Sequence, residues 1–265
     1  MIVITGCDSG IGKELYAQYE SGGSALLGTT IEKKRTGTLH YCDYLSRDSI
    51  FSFIQAIQNL HNSGDKLEKL FLNAGRADAC PIEHLDEKSF REIMEINFFG
   101  NLLLLKELLP IIREDKTRVV LISSSAGRIA PPFFSPYACS KFALEALGDC
   151  LRREVGPLGV PVIIFEPRSI ATPIWEHTWN KALESSIPLC NEVYRESMRT
   201  GGEKLVTSAG KGMSAYSASL LIKKLSEKRK PKARYIIARN RLLTWILYHV
   251  PSSLADAVFK RLFRS

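Results

Sequence analysis

The chain has 265 residues, which fits one large α/β domain or two small ones. Apolar residues at 45% and charged residues at 24% exclude a disordered or low-complexity chain, and no apolar run approaches the ~20 residues of a membrane span. The net charge of +8 is uneven: residues 1–199 hold 22 Lys and Arg against 25 Asp and Glu, residues 200–265 hold 14 against 3, so the body offers no basic face for nucleic acid.

Residues 2–5 (IVIT) read as a buried strand directly after Met1, so no secretory leader is expected. A helix over 11–20 follows. Short strands are expected at 25–27 and 39–41, and Ser46 suits the N-cap of a helix through residue 60. Residues 69–73 (KLFLN) form the next strand. Helical spacing runs over 87–112 through Phe90, Ile93, Met94, Asn97 and Phe98. A strand at 118–123 (RVVLIS) precedes a helix over 136–155 that starts on proline, as helix N-termini tolerate. Strands at 161–166 and 234–237 complete the set, and the stretch 207–214 (TSAGKGMS) reads as a loop. Runs this short and apolar are expected to be buried on both faces of a parallel sheet. Their alternation with helices predicts a single doubly wound α/β domain over 1–265, with about seven strands and helices on both faces. Cys7, Cys42, Cys80, Cys139, Cys150 and Cys190 are scattered without a CxxC pair, which argues against zinc and disulfides and for a reducing, cytoplasmic setting.

Thr5-Gly6-Cys7-Asp8-Ser9-Gly10-Ile11-Gly12 joins the first strand to the first helix. Glycines there let the backbone turn tightly and approach a pyrophosphate held on the helix N-terminus. A second motif is Tyr137-Ala138-Cys139-Ser140-Lys141, which puts Tyr137 and Lys141 on one helix face. A nearby ammonium favours the phenolate, so such a tyrosine can exchange a proton near neutral pH. The plain alternative is an amphipathic surface pair. Ser124 ends the strand 118–123, where doubly wound sheets bind ligands, or is simply one of three loop serines. Asn97 lies inside a helix, a poor place for an amide unless it has a task, such as capping a kink.

In combination these motifs resemble the short-chain dehydrogenase/reductase family, most nearly its hydroxysteroid and retinol dehydrogenase branch. The resemblance implies a Rossmann-type fold and hydride transfer between a nicotinamide cofactor and an alcohol or ketone. It places Thr5, Gly6, Ser9, Gly10, Ile11 and Gly12 in the cofactor loop, Asp43 against the adenine amino group, and Asn73-Ala74-Gly75 along the adenosine ribose. It makes Asn97, Ser124, Tyr137 and Lys141 a catalytic tetrad. Tyr137 exchanges the proton, Ser124 orients the substrate oxygen, Lys141 holds the nicotinamide ribose and lowers the Tyr137 pKa, and Asn97 holds a relay water. Pro167 to Thr172 resembles the stretch contacting the nicotinamide, with Ile170 by backbone and Thr172 by hydroxyl. Arg168 departs from the family's glycine there: it is either a tolerated surface substitution or a long cation beside the nicotinamide, strained if that position needs a positive φ. The expected cofactor is NADP, with NAD as the alternative. Thr29, Thr30 and Ile31 carry no acid for the ribose, and Lys33, Lys34 and Arg35 can meet a 2′-phosphate, while Glu32 favours NAD.

Residues 173–213 occupy the place of the family's substrate lid, and their Ile174, Trp175, Trp179 and Met198 suggest a lipophilic alcohol or ketone. General carbonyl or 3-oxoacyl reduction, or a catalytically silent NADP-binding scaffold, are the alternatives. By resemblance, helices 87–112 and 136–155 pack across a two-fold axis in a homodimer or homotetramer. The segment 239–265 is basic and amphipathic. Arg239, Arg241, Lys260, Arg261 and Arg264 flank Trp245, Tyr248 and leucines, so contact with a membrane surface or an acidic partner is expected, or else the apolar faces close over the substrate pocket or pack against the sheet.

Overall fold

Short β-branched and aliphatic runs form the strands of the computed structural model, which describes residues 1–32 and 37–263. They are β1 (Ile2–Ile4), β2 (Leu26–Thr30), β3 (Leu39–Tyr41), β4 (Lys69–Leu72), β5 (Arg118–Ile122), β6 (Val162–Pro167), β7 (Ile170–Ala171), β8 (Met213–Ser214) and β9 (Arg234–Ile237). Seven of them make one parallel sheet in the order β3-β2-β1-β4-β5-β6-β9. Every residue of β1 and β6 is buried, as a strand covered on both faces must be. The chain runs outward from β1 in one direction through β2 and β3, then returns to β4 on the other side. That reversal opens a crevice at the carboxyl ends of the strands.

The helices are α1 (Gly10–Glu20), α2 (Arg47–Asn62), α3 (Glu87–Met94), α4 (Gly100–Asp115), α5 (Ser135–Val155), α6 (Pro173–Lys181), α7 (Ile187–Leu189), α8 (Glu192–Gly210), α9 (Ala215–Ser226), α10 (Arg241–His249) and α11 (Ser252–Phe263). One core lies between the sheet and α2, α4 and α5, around Phe53, Leu104, Leu108 and Leu144. The opposite core lies under α1 and α9, around Leu15, Phe71, Phe165 and Ile222. Ser46 caps α2 as expected, its Oγ accepting from Ser49 N at 3.3 Å.

Three expectations change. The span 87–112 is not one α-helix: a π-helical turn, Glu95–Phe99, separates α3 from α4, with Asn97 buried inside it. Asn101 Nδ2 donates to the Asn97 carbonyl at 2.8 Å, a side-chain bond inside the irregular stretch. The stretch 207–214 is not a loop. Residues 207–210 complete α8, and residues 213–214 are β8, paired with β7. Its Gly and Ser content argued for a turn, but packing prevails over composition. Gly201 and Gly202 of α8 lie flat against the rings of Phe263 and Trp179, where a Cβ would overlap them. The third change concerns Arg168 and belongs with the site.

Candidate active site

The carboxyl ends of β1, β4, β5 and β6 converge on a cleft of about 520 Å³. Its floor is the loop after β1. Gly6 has a φ of 71°, open to glycine and costly for other residues, and a Cβ there would lie 2.8 Å from Ala74 Cα. A Cβ on Gly12 would overlap the Gly6 carbonyl, so only glycine lets α1 begin this close to β1. Ser9 at the N-cap of α1 makes no side-chain capping bond, and the first turn carries no acid. The free N–H groups and the positive end of the helix dipole there suit an anion.

Thr5 and Asn73 bind the loop to its neighbour. Asn73 Nδ2 donates to the carbonyls of Thr5 and Gly6, both at 3.0 Å, while Thr5 Oγ1 accepts from Asn73 N at 2.9 Å and Ala74 N at 3.0 Å. Thr5 is fully buried, so it and Gly12 stand behind the cleft wall. Gly6, Ser9, Gly10, Ile11, Asp43, Asn73, Ala74, Gly75, Pro167, Ile170 and Thr172 form the wall itself. Asp43 Oδ1 accepts from Leu45 N at 2.9 Å, which fixes its carboxylate at the β3 end of the cleft.

Ser124, Tyr137 and Lys141 meet at the opposite end. Ser124 leaves β5 and accepts from Ala126 N at 3.1 Å. Lys141 Nζ donates to Ile122 O at 3.0 Å and lies 5.7 Å from the centre of the Tyr137 ring. Burial lowers Lys141 to about 8, with Glu145 opposing the shift. Tyr137 moves the other way from expectation. Burial raises its pKa, and the group that opposes the rise is Ser124 through a hydrogen bond, not Lys141. The phenol is therefore held protonated at neutral pH.

Asn97 does not line the cleft. Its Nδ2 donates to Arg76 O at 2.8 Å and Ser140 Oγ at 2.9 Å, and its Oδ1 accepts from Arg76 N at 2.8 Å. Both amide hydrogens are used, and the side chain ties the loop after β4 to α5. Gly75 leaves room for this: a Cβ there would lie 3.3 Å from Asn97 Oδ1 and 3.5 Å from Lys141 Nζ.

Arg168 corrects an expectation. The left-handed residue is Ser169, with a φ of 51°, and Arg168 carries no such strain. Its guanidinium points away from the cleft, and Nη1 donates to Thr244 Oγ1 of α10 at 3.2 Å. A second residue was missed by the motif reading. Asp8, a variable position of the glycine loop, accepts from Ile31 N at 3.2 Å and bonds Thr30 Oγ1, so a carboxylate does stand at the end of β2. Its place between the loop glycines, facing the second strand, was the available signal. The proposed contacts of Lys33, Lys34 and Arg35 lie outside the described residues.

Ser124 and Tyr137 also line a second cavity of about 350 Å³. Its walls are largely apolar: Phe134 and Trp175 on one side, Leu205 of α8, then Leu247, Phe259 and Leu262 from α10 and α11. Trp175 packs edge-on against Tyr137, with ring centres 5.9 Å apart. Helix α6 is fastened down by an ion pair between Lys181 and Asp78 and by Thr178 Oγ1, which donates to Ala77 O at 3.2 Å.

The sequence matches the family model for short chain dehydrogenase over residues 1–183. It is 30% identical to an NADPH-dependent 3-dehydrocapnine reductase of Ornithobacterium rhinotracheale, over 97% of this chain and 95% of that one. It is 35% identical to the mitochondrial D-beta-hydroxybutyrate dehydrogenase of Mus musculus, over 63% of this chain and about half (53%) of that enzyme. A short-chain dehydrogenase from Streptomyces avermitilis has the same fold, with a TM-score of 0.77 at 23% identity, covering 98% of this chain and 95% of that one.

Proposed function

The chain belongs to the short-chain dehydrogenase family, an oxidoreductase acting on CH–OH groups, and from that premise we propose that it interconverts a lipophilic ketone and its alcohol with NADP, NAD being the alternative. One observation carries the reading: Ser124 and Tyr137 line both the glycine-floored cleft and the apolar cavity, so they stand where cofactor and substrate would meet. The uncapped start of α1 and the glycine cradle fit the dinucleotide phosphates, with Asp43 at the adenine end and Ile170 and Thr172 at the nicotinamide end. NADP is preferred because the full-length relative from Ornithobacterium is named as NADPH-dependent. Asp8 at the end of β2 is the residue that speaks for NAD.

Bound nicotinamide supplies or accepts the hydride. The chain handles the proton. Tyr137, kept as a phenol by burial, donates to the carbonyl oxygen that the Ser124 hydroxyl orients, which suits reduction. Lys141, anchored on Ile122 O, lends its charge beside the ring and to the nicotinamide ribose. Asn97 fixes the loop and helix that bring these groups together. Residues 173–213 act as a lid within one domain.

The test is turnover of a panel of short, branched and long-chain ketones with NADPH and NADH. Turnover of apolar ketones supports the reading. Cofactor binding without turnover of any ketone would leave a silent dinucleotide-binding scaffold instead.

Two partner assignments belong to the same reading. Phe99 and Phe142 are exposed on the helices expected at a two-fold interface, so a homodimer or homotetramer should sediment well above 29.7 kDa. The outer faces of α10 and α11 expose Leu242, Trp245, Ile246 and Leu254 among Arg239, Arg241, Lys260 and Arg261. Peripheral contact with an anionic bilayer follows, and Leu242→Glu with Trp245→Glu should abolish flotation with anionic vesicles. No single described helix is long and apolar enough to cross a membrane, and the α10–α11 pair is bent by 119°. Arg264 lies outside the described residues.

A further inference from the structure

A third cavity, of about 710 Å³, adjoins the apolar one. Arg168, Ser169, Lys204 and Ser208 line both, and Ser169 also reaches the cofactor cleft. The three spaces therefore lie in series around the left-handed turn at Ser169. The first holds Tyr137 and Ser124, the second is apolar, and the third is basic. Four cations, Arg168, Lys204, Lys211 and Arg239, line the third against a single carboxylate, Glu203.

These cations are not consumed by the fold. Among the described residues none is in ion-pair distance of a carboxylate. Arg168 is partly buried and gives one bond to Thr244 Oγ1. Lys204 Nζ gives one to Leu262 O at 2.9 Å, at the end of α11. A guanidinium partly removed from water with one side-chain hydrogen bond and the Tyr248 phenol near it leaves most of its donors unused, and its planar fork matches an oxyanion. Burial lowers the Arg168 pKa, the direction expected of a cation short of a counter-charge.

We infer that the substrate is an anionic amphiphile, its carbonyl or hydroxyl at Tyr137 and Ser124, its apolar chain in the second cavity, and a carboxylate or phosphate on Arg168 and Lys204. This rests on the assignment of Tyr137 and Ser124 to the reacting oxygen, and it adds the headgroup. The residue that departs from the family's glycine thus becomes a specificity determinant, placed between the reacting oxygen and the basic basin. Arg239 and Lys211 at the rim draw the anion in, an attraction that salt screens.

Calorimetry with decanoate, decyl phosphate and decanol, below their aggregation limits, separates headgroup from chain. Either or both anions should bind at least about tenfold more tightly than decanol, since a hydrogen bond to a charged group is worth that factor. Lys204→Met, at an exposed position, should cut the preference severalfold, Arg168→Met should cut it further, and 0.5 M salt should narrow it. Lys228→Met, an exposed cation away from the basin, should leave it unmoved. The two anions compared with each other identify the headgroup class. Equal binding of decanol and both anions, or a preference that Lys204→Met and Arg168→Met leave intact, overturns the inference. The same pair of headgroups on a chain whose ketone lies near the other end, as in 9-oxodecanoate and its phosphate counterpart, is then assayed for turnover. Anion-selective binding with no turnover of any ketone counts against the dehydrogenase reading and keeps the headgroup site, whereas turnover without headgroup preference does the reverse.

Discussion

The glycine-floored cleft and the cavities beside it, proposed for cofactor and substrate, are built in different ways. The cleft is made by backbone: strand ends, the turn at Gly6, the close start of α1 at Gly12, and the Thr5–Asn73 lattice between two neighbouring loops. The apolar cavity is made by the segment from Ser124 to Tyr137 together with side chains from α6, α8, α10 and α11, which are distant in sequence and meet only through tertiary packing. Chemistry that depends on backbone geometry leaves short local motifs. Recognition that depends on converging side chains leaves almost none.

The sharpest test of that division is Tyr137→Phe, which removes one atom at the seam. Turnover should fall by about 10²–10⁴-fold, the usual worth of a positioned proton donor, while cofactor affinity is retained. Near-normal kcat in this variant would mean that the proton comes from elsewhere.

Next is the pH profile. Lys141 is held at about 8 by burial, so its charge is present below that pH and lost above it. The kcat/KM profile should fall on the alkaline side of about pH 8, approaching tenfold per unit, and Lys141→Met should erase that limb along with most activity. A flat profile to pH 10 would detach Lys141 from the chemistry.

A third variant acts on the substrate side alone. Gly201→Val would drive a side chain into the Phe263 ring and displace the end of α11 from α8. KM for the ketone should rise about tenfold through the opened cavity, with the dissociation constant of the cofactor unchanged. A parallel loss of cofactor affinity would show the two regions to be one cooperative unit.

These differences explain what was legible in the sequence. Strand positions and the parallel sheet follow from short continuous apolar runs between helices, so β1, β4, β5 and β6 fall where the pattern puts them. The glycine loop and the Tyr137–Lys141 pair are local and were readable. Asn97 was noticed because its residue type suits a helix badly, but the π-helical turn that turns its amide onto Arg76 and Ser140 has no sequence signal of its own. The direction of the Tyr137 shift depends on burial by Trp175 and α5, which spacing does not reveal. The same holds for Arg168. Its neighbours in sequence suggested the nicotinamide, while its neighbour in space is Thr244. In the C-terminal segment both halves of the reading have a face: Leu247 and Phe259 turn inward to the apolar cavity, and Leu242 and Trp245 turn outward.

The smallest effect lies where the two regions join. Glu166 ends β6 just before Pro167 and Arg168, and it is buried. Burial, then the charge of Glu145 on α5, raise its pKa to about 7, against the pull of Arg128 and of Arg234 on β9, and its charge acts in turn on Tyr248 of α10. Arg234 is shared: its Nε lies 3.0 Å from Glu145 and 3.5 Å from Glu166, and its Nη1 bonds Asp149 at 2.9 Å. One guanidinium therefore serves three carboxylates. An acid whose folded pKa exceeds its unfolded value binds more proton when folded, so stability falls as pH rises from about 4.5 to about 7. Glu166→Gln imitates the protonated side chain. It should match the wild type at pH 5 and exceed it at pH 8, by about 2 °C in Tm for roughly 1 kcal/mol in a chain of this size. If the two melting curves run parallel from pH 5 to pH 8, the proton on Glu166 does not couple the sheet to α10. If the gap opens as expected but substrate KM changes with it while cofactor affinity does not, the carboxyl acts on the substrate side through Tyr248, and the boundary between the two regions runs through β6 itself.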